Sequence, residues 1–190
     1  MTNAPVETER KRDAEDCAGL LPGRLSALGY RRSGSYTETD DYYGRPDVDY
    51  LRTVECLRVR ERDDFCEITY KPATTEAATD GIVSKRETNV RLDGAGQGEE
   101  ARRLLEAIGM VFLARVTKHR SAYTHPVLDE VTVTLDTVED VGVFVETEVN
   151  TSGPAGAAEV LTRVEEELGL HHCPPVLLPY RDLVLARLHA

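Results

Sequence analysis

The sequence lacks the marks of several protein classes. Its four cysteines include no Cys-x-x-Cys pair, and the cluster His171-His172-Cys173 runs directly into two prolines, which favours a loop over a zinc site. We therefore expect reduced, structural thiols. No apolar run approaches the length of a membrane span. The first residues are partly acidic and contain no apolar stretch, which is not the pattern of a signal peptide, so a cytoplasmic protein is expected.

Positive charge is also scarce. The chain carries 23 Lys and Arg residues against 34 Asp and Glu residues, which gives a formal net charge of −11. Duplex nucleic acid and anionic membranes both bind basic surfaces, so neither is expected as a partner. A local basic patch can still bind a small polyanion inside an acidic protein. The length of 190 residues, with 41% hydrophobic and 30% charged residues, predicts one globular domain.

What the sequence does contain is a succession of short segments in which apolar and polar residues alternate, as they do in β-strands. Eight such segments predict strands at residues 5–11, 36–43, 54–61, 65–71, 84–92, 110–120, 130–136 and 142–149. Helical patterns and helix-ending glycines predict helices at residues 13–28, 97–108, 154–168 and 179–188. We therefore expect an α+β protein with a single domain over residues 1–190. Its barrel strands should lie within about 5–149, and its C-terminal helices within about 154–189.

Charged side chains recur on one face of nearly every predicted strand. Arg58 and Arg60 alternate with Leu57 and Val59, and the segments around residues 71, 118, 134 and 146 repeat this pattern. One arrangement that fits is a closed antiparallel barrel with a charged, wet interior and helices against its apolar outside. The other is an open sheet with one solvated face. Periodicity alone favours neither arrangement.

Two Glu-x-Glu pairs are the most informative local motifs. In extended strands, Glu7, Glu9 and Lys11 share one face, and Glu146 and Glu148 share another. Four carboxylates that converge on one place repel each other unless a cation lies among them. Hard oxygen ligands of this kind suit Mg²⁺ or Mn²⁺. The alternative interpretation is a pair of solvated strand faces.

Taken in order along the chain, these motifs resemble the CYTH, or triphosphate tunnel metalloenzyme, superfamily. Glu7-Thr8-Glu9-Arg10-Lys11 is similar to its Glu-x-Glu-x-Lys signature, and Leu57-Arg58-Val59-Arg60 is similar to its Leu-Arg-x-Arg strand. Further matching segments are Asp40-Asp41-Tyr42-Tyr43, Thr69-Tyr70-Lys71, Lys118-His119-Arg120 with Tyr123, Leu135-Asp136-Thr137-Val138 and Gly142-Val143-Phe144-Val145-Glu146-Thr147-Glu148. The tail Pro179-Tyr180-Arg181-Asp182-Leu183 resembles that of the class IV adenylyl cyclase branch.

The resemblance implies a fold and a set of site residues. It implies a closed eight-stranded antiparallel β-barrel, covered by helices outside, that holds a triphosphate lengthwise. The implied substrate-binding residues are Lys11, Arg58, Arg60, Lys71, Lys118 and Arg120. The implied ligands for Mg²⁺ or Mn²⁺ are Glu7, Glu9, Asp136, Glu146 and Glu148. Lys11, Glu9 and Tyr42 are the expected catalytic residues.

Alternatives remain for individual residues. The basic side chains could form surface salt bridges instead of binding a substrate. Asp136 could be a turn residue at the end of a strand, and Tyr42 and Tyr123 could serve only in packing.

Two reactions are compatible with such a site. In the first, the 3′-hydroxyl of ATP attacks the α-phosphorus and pyrophosphate leaves, giving cyclic AMP; the tail motif favours this cyclase reaction. In the second, water attacks the terminal phosphorus of a nucleoside, thiamine or inorganic triphosphate. A third hypothesis is a non-catalytic module that binds polyphosphate or a nucleotide, although the complete carboxylate pairs argue against it. Relatives in the cyclase branch often form homodimers, so a homodimer is an expectation here.

Overall fold

The computed structural model describes residues 6–73, 81–151 and 156–188. Its strands are β1 (Val6–Asp13), β2 (Arg31–Gly44), β3 (Cys56–Arg62), β4 (Phe65–Lys71), β5 (Ile82–Arg86), β6 (Thr88–Leu92), β7 (Val111–Thr124), β8 (Val131–Val138) and β9 (Gly142–Thr151). Its helices are α1 (Leu21–Ala27), α2 (Tyr50–Thr53), α3 (Gly98–Ala107), α4 (Ala157–Glu167) and α5 (Tyr180–Leu188). Short 3₁₀ turns cover Ala95–Gln97 and Leu170–His172.

The nine strands form one antiparallel sheet in the order β5-β1-β9-β8-β7-β2-β3-β4-β6. The strands at its two ends, β5 and β6, are separated in sequence only by Glu87. The two edges of the sheet therefore meet at this residue, and the sheet curls into a nearly closed barrel. The prediction of a closed antiparallel barrel with helices outside is confirmed, and the open sheet is excluded.

The predicted number of eight strands is wrong by one. The segment predicted as one strand at residues 84–92 is two strands, because its first half pairs with β1 and its second half pairs with β4. A single straight strand cannot follow both neighbours, so the ladder breaks at Glu87. The predicted bounds at residues 5, 154 and 189 lie outside the described residues. The predicted helix at 13–28 is shorter: it begins at Leu21, with Pro22 in its first turn, where proline fits best.

Most of the core lies outside the barrel, between the sheet and the helices. The outward side chains of β8 and β9, such as Val133 and Val145, pack against Leu25 of α1 and Leu161 of α4. A second cluster joins α3 to β2, β3 and β4 through Ala101 and its neighbours. Apolar side chains thus take one face of each strand, which leaves the charged face for the interior.

The outer face of β1 is an exception, because it carries arginines. Arg10 and Arg12 alternate with the inward residues of this strand and are buried against α4. The carboxylate of Glu165 accepts hydrogen bonds from both guanidinium groups, at 2.5 and 2.8 Å, and Arg12 also donates to the carbonyl oxygen of Cys173. These bonds fix β1, the strand of the Glu-x-Glu-x-Lys motif, to the C-terminal half of the chain.

One end of the barrel is filled by a hydrophobic cluster, which we call the plug: Tyr42, Val116, Val138, Phe144 and Tyr180. Tyr180 comes from the start of α5, which packs across this end of the barrel with Leu183 and Val184. The plug gives the interior a floor.

Among the residues that the structure describes, the helices are all too short or too polar to cross a membrane.

Candidate active site

The interior of the barrel contains a cavity of about 330 Å³. Its walls include, among the residues predicted for the site, Glu7, Glu9, Lys11, Tyr42, Arg58, Arg60, Lys71, Lys118, Arg120, Glu146 and Glu148. Asp136, the remaining predicted residue, is fully buried directly behind Arg120. These residues are spread over most of the sequence, and the alternation of side chains along each strand places them on one inner surface.

Asp40 on β2 is a fully buried charge of the interior. Arg60 donates to both of its carboxylate oxygens, at 2.7 and 2.8 Å, and Lys118 lies 3.3 Å away. Burial alone would raise the pKa of Asp40, but the neighbouring cations outweigh this effect and hold the pKa well below its usual range. Glu38, one inward position along β2, also lies within 3.5 Å of Arg60 and Lys118. Two carboxylates therefore orient the cations on this wall.

A second group surrounds Arg120 on β7. Its guanidinium donates to both oxygens of Asp136, at 2.7 and 2.5 Å, and to Glu146 at 2.5 Å. Asp136 also accepts a 2.9 Å hydrogen bond from the Tyr180 hydroxyl. The ring of Tyr180 in turn lies under the ammonium groups of Lys11 and Lys118, at 4.3 and 5.3 Å from its centroid. The C-terminal tail thus supports three of the predicted phosphate-binding cations from below.

A third group lies where the edges of the sheet meet. Lys71 Nζ contacts the carboxylate of Glu7, and Glu87 lies 3.8 Å from Lys71 and 3.7 Å from Arg58. Burial would lower the pKa of Lys71, but Glu7 and its neighbouring carboxylates raise it above its ordinary value, so this side chain is an ammonium. Arg58 Nε is buried and has no hydrogen-bond partner among the described residues. The Arg58 side chain lines the cavity, so an anion bound there would lie beside its guanidinium group.

Two carboxylates face each other across the β1–β9 ladder. Glu9 is directly opposite Glu148 in the register of these strands, and Glu7 lies next to both. Burial raises the pKa of Glu9, and burial together with the charges of Glu7 and Glu9 raises the pKa of Glu148 to about 7. Like charges in directly opposed positions destabilise a sheet. This part of the wall therefore carries more negative charge than its own cations neutralise.

The carboxylates fit Mg²⁺ or Mn²⁺ by chemistry and by charge. They are hard oxygen donors, and the raised pKa of Glu148 indicates that a further cation would be favourable beside it. Within residues 6–73, 81–151 and 156–188, no three acidic, histidine or cysteine side chains are arranged to hold an ion as they stand. One reason is visible at Glu7, whose carboxylate is paired with Lys71. Binding an ion would require Lys71 to move toward another anion.

The opposed pair predicts a pH dependence of stability in the absence of metal. A carboxyl group whose pKa is raised by folding stabilises the folded state below its ordinary pKa near 4.5, and this contribution is lost as the pH rises through about 7. Glu148→Gln has no carboxyl group at this position, so it does not lose this contribution to stability as the pH rises. We therefore expect the melting temperature of Glu148→Gln, in chelator, to rise relative to the wild type between pH 5 and pH 8.

The matched control for this measurement is Glu139→Gln, which changes an exposed carboxylate in the turn between β8 and β9. Its melting temperature should follow the wild type at every pH. A difference between Glu148→Gln and the wild type that stays constant or shrinks toward pH 8 would contradict the expectation.

Two tyrosines differ in position. Tyr42 lines the floor of the cavity, and burial, reinforced by Asp40, raises the pKa of its phenol, which is therefore a hydrogen-bond donor at neutral pH. Tyr123 lies in the hydrophobic core that contains Leu21 and Leu25, outside the barrel. It packs there and does not line the cavity.

Several residues of the cavity wall were not singled out from the sequence. They are Tyr36, Arg62, Phe65, Lys85, Glu87 and Asn89. Arg62 continues the alternation of Arg58 and Arg60, and Lys85 and Glu87 share a face of one predicted strand, so their positions could have been found from spacing. The aromatic residues carry no such signal, because an inward aromatic ring cannot be distinguished from a core residue by periodicity.

Comparisons with known proteins agree with this architecture. A family model described as the CYTH domain matches residues 6–173. A protein of Methanocaldococcus jannaschii named "Putative adenylate cyclase" is 25% identical over 163 residues, which cover 86% of this chain and 87% of that protein.

Two solved structures share the fold. The PH1012 protein of Pyrococcus horikoshii has a TM-score of 0.76 and 25% identity, with 93% of this chain and 98% of that chain covered. A Hippeastrum protein named "Putative adenylyl cyclase", described as having dominant triphosphatase activity, has a TM-score of 0.63 and 19% identity, with 87% and 88% covered. At that identity the likeness concerns the fold alone. Because the family model spans most of the sequence, the chain belongs to the CYTH domain family.

Proposed function

We propose that this protein is a divalent-metal-dependent enzyme that holds a triphosphate lengthwise in its barrel, and that its reaction is the conversion of ATP to cyclic AMP and pyrophosphate. The observation that carries the proposal is the array of inward cations that faces the opposed carboxylates Glu9 and Glu148. CYTH domain proteins are phosphorus-transfer enzymes, cyclases or triphosphatases, and depend in general on divalent metals. The similarity to the Methanocaldococcus jannaschii protein supports the cyclase reaction.

The cations would bind the phosphates directly. A triphosphate carries several negative charges along its length, so it requires cations at successive levels of the barrel. Arg58, Arg60 and Arg62 occupy successive inward positions of β3, and Lys118 and Arg120 do so on β7. The side chain of Arg58 is only 12% exposed and has a free Nε donor among its described surroundings. A bound triphosphate would give these side chains a further anionic partner inside the cavity.

Four carboxylates would hold the metal: Glu7, Glu9, Glu146 and Glu148. Asp136 would join them only by exchanging its bonds to Arg120 and Tyr180. A bound Mg²⁺ or Mn²⁺ supplies charge neutralisation at the phosphate oxygens.

The catalytic residues would accept the proton of the attacking hydroxyl group and stabilise the charge that develops on the phosphate oxygens. Glu9 lines the cavity and would accept the proton that the attacking 3′-hydroxyl loses. Lys11 lies between Glu146 and the Tyr180 ring and can donate to the phosphate oxygens as charge moves onto them. Tyr42, a protonated phenol on the floor, can donate a hydrogen bond and so orient the substrate.

Hydrolysis is the second candidate reaction. The same cations and carboxylates would bind a triphosphate whose terminal phosphorus is attacked by water. The Hippeastrum protein of the same fold, with its dominant triphosphatase activity, is the reason to keep this candidate.

Product analysis tests the proposal. The protein is incubated with ATP and Mg²⁺ or Mn²⁺, and the products are separated by chromatography. Cyclic AMP with pyrophosphate is the expected result. ADP with orthophosphate would show that the protein is a triphosphatase and not a cyclase. If ATP stays intact, the same assay is run with inorganic and thiamine triphosphate. Tight ATP binding without turnover of any of these compounds would contradict the proposed enzymatic function and favour a nucleotide-binding module.

Lys71→Ala is expected to weaken substrate binding. It removes an ammonium group from the cavity wall, and a charge-assisted hydrogen bond to phosphate is worth about 1.5–3 kcal/mol, so the apparent affinity for ATP should fall roughly 10- to 100-fold. Steady-state kinetics with varied ATP measures this change. Arg86→Ala, at an exposed position of β5, is the control and should leave the affinity unchanged. An unaltered affinity in Lys71→Ala would remove this residue from the substrate site.

A further inference from the structure

Two cysteines that lie far apart in the sequence meet beside the barrel. Cys17 lies in the turn between β1 and α1, and Cys173 directly follows the 3₁₀ turn Leu170–His172. The two residues are 156 positions apart, yet their Sγ atoms are 2.7 Å apart, with the Cys173 thiol donating to the sulfur of Cys17. Both are free thiols in the structure. An S–S bond is about 2.05 Å long, so a movement of less than about 1 Å would bring the pair to bonding distance.

The backbone holds both cysteines in this contact. The amide of Cys17 donates to the carbonyl oxygen of Ala14 at 3.0 Å, and the amide of Cys173 donates to that of Leu170 at 2.9 Å. The carbonyl oxygen of Cys173 also accepts a 2.8 Å hydrogen bond from Arg12. Because the two thiols are fixed against each other, each is present at a very high effective concentration beside its partner.

We propose that Cys17 and Cys173 form a site of oxidative modification, at which a peroxide converts the two thiols into an intramolecular disulfide. The bond would fasten the C-terminal part of the chain to the first described strand. The inference does not depend on the reaction proposed for the barrel, because neither cysteine belongs to the described lining of the cavity.

The oxidation takes place in two steps that balance. Cys17 is the more exposed of the two residues, so its thiolate attacks one oxygen of hydrogen peroxide. The O–O bond breaks, Cys17 becomes a sulfenic acid, and the departing hydroxide takes up a proton to give water. The sulfur of Cys173 then attacks that of Cys17, the S–O bond breaks, and a second water leaves. In total the two thiols lose two protons and two electrons, and one peroxide is reduced to two waters.

The surroundings of the pair favour a durable bond over a fast redox response. Burial and the hydrogen bond with Cys173 raise the pKa of the Cys17 thiol to about 12, and the charge of Arg24 opposes them only in part. The attacking thiolate is therefore scarce at neutral pH, so oxidation should be slow. Cys173 is 7% exposed and lies in the core with Leu168 and Leu170, which limits the access of a reductant to the finished bond.

The bond would lie beside a seam of the barrel. β5 covers only the first part of β1, from Val6 to Arg10. Beyond that point, the amide of Asp13 donates to the carbonyl oxygen of Pro174 at 2.9 Å, so the segment that follows the second cysteine continues the edge of β1. This segment leads into α5 and the plug. A disulfide at its start would therefore keep the C-terminal tail on the strand that carries the Glu-x-Glu-x-Lys motif.

The other two cysteines cannot pair with each other. Cys56 lies on β3, and Cys66 on β4 is the ladder partner of Glu61, five residues further along β3. Five residues of a strand span about 17 Å. Cys56 also faces the cavity, whereas Cys66 lies in the outer cluster with Ala101. Oxidation should therefore consume two of the four thiols.

A metal site is the other structure that two neighbouring thiols could belong to. Within the described parts of the chain, no third cysteine, histidine or carboxylate completes such a group around Cys17 and Cys173. The rings of His171 and His172 lie against each other instead, with 3.8 Å between their centroids. The pair therefore has the geometry of a disulfide and not that of a metal centre.

Thiol counting and peptide mapping test the inference. The full chain is reduced, freed of reductant and treated with hydrogen peroxide at mildly alkaline pH, and a second sample is kept reduced. After denaturation, four thiols should react in the reduced sample and two in the oxidised one. Mass spectrometry of a tryptic digest should find the peptides 13–24 and 164–181 joined in the oxidised sample alone.

The bond should also raise the melting temperature. It links residues 156 positions apart and so restricts the unfolded chain, and the oxidised protein should melt roughly 10 °C above the reduced one. In Cys17→Ser and in Cys173→Ala, peroxide should neither raise the melting temperature nor consume a pair of thiols. Cys56→Ser is the matched control, and it should form the bond and show the same rise as the wild type.

Several results would overturn the inference. One is four reactive thiols after oxidation, in a protein that circular dichroism shows to be folded. Others are a bond that involves Cys56 or Cys66, a disulfide between two chains, and a sulfinic acid at Cys17 without any bond. An equal rise in melting temperature in Cys17→Ser would likewise show that the two cysteines do not fasten the fold.

Discussion

Glu148→Gln should abolish metal-dependent turnover while the protein stays folded. The variant removes the negative charge of one carboxylate from the opposed pair with Glu9, and with it an anionic ligand of the proposed metal site. A catalytic metal supplies several kcal/mol of transition-state stabilisation, so a loss of roughly 1,000-fold in kcat is expected. The rate of product formation from ATP with Mg²⁺ or Mn²⁺, read by chromatography, measures the effect.

The fold of this variant should be retained, because the substitution relieves repulsion from Glu7 and Glu9, and the Gln side chain keeps an oxygen that can accept the hydrogen bond from Asn150. Circular dichroism and the melting temperature check this point, and Glu139→Gln is again the control for activity. Near-normal turnover in Glu148→Gln would show that this carboxylate does not hold the metal. A lost activity together with a collapsed fold would point to a structural role.

Asp40→Asn should produce the largest loss of stability among the interior residues. Asp40 is fully buried and accepts from Arg60 at two positions, with Lys118 and Arg58 within 3.3 and 3.7 Å. Removing one partner of a buried ion pair leaves uncompensated charge, which costs about 3–5 kcal/mol. For a chain of this length that corresponds to a fall of roughly 10 °C in melting temperature.

The cations left by Asp40→Asn face the cavity, so a polyanion should partly restore the stability. Inorganic triphosphate is therefore expected to raise the melting temperature of Asp40→Asn by more than it raises that of the wild type. Asp41→Asn is the matched control: this neighbouring carboxylate is equally buried, but it pairs with Arg115 and Arg102 on the outer face. Its destabilisation should not respond to triphosphate. Equal shifts in the two variants would contradict a phosphate site beside Asp40.

The sequence was a good guide to the faces of the strands and a poor guide to their partners. Alternation alone places Arg58 and Arg60 on one face, and the structure confirms that this face is the interior of a barrel. The environment of Asp40, in contrast, depends on the register of β2 against both β3 and β7. Register is set by long-range packing, which no local pattern records.

The same limit explains three other findings. Asp136, predicted as a metal ligand, has both carboxylate oxygens occupied by Arg120, its direct partner across the β7–β8 ladder. The break at Glu87 appears only when β5 and β6 must pair with opposite edges of the sheet. The shared contact of Tyr36 and Phe65 with Arg62 could not be predicted, because the two rings come from different strands whose ends meet only in the barrel.

The pairing of β1 has a consequence for how the protein folds. β1 pairs with β5 on one side and with β9 over its whole length on the other, so the ladder on its second side forms only when the last strand is present. Joining segments so far apart in sequence carries a high entropic cost and makes folding slow. During synthesis, β1 leaves the ribosome long before β9 is made. The strand that carries Glu7, Glu9 and Lys11 is thus completed late, and the proposed active site can form only after β9 has been made.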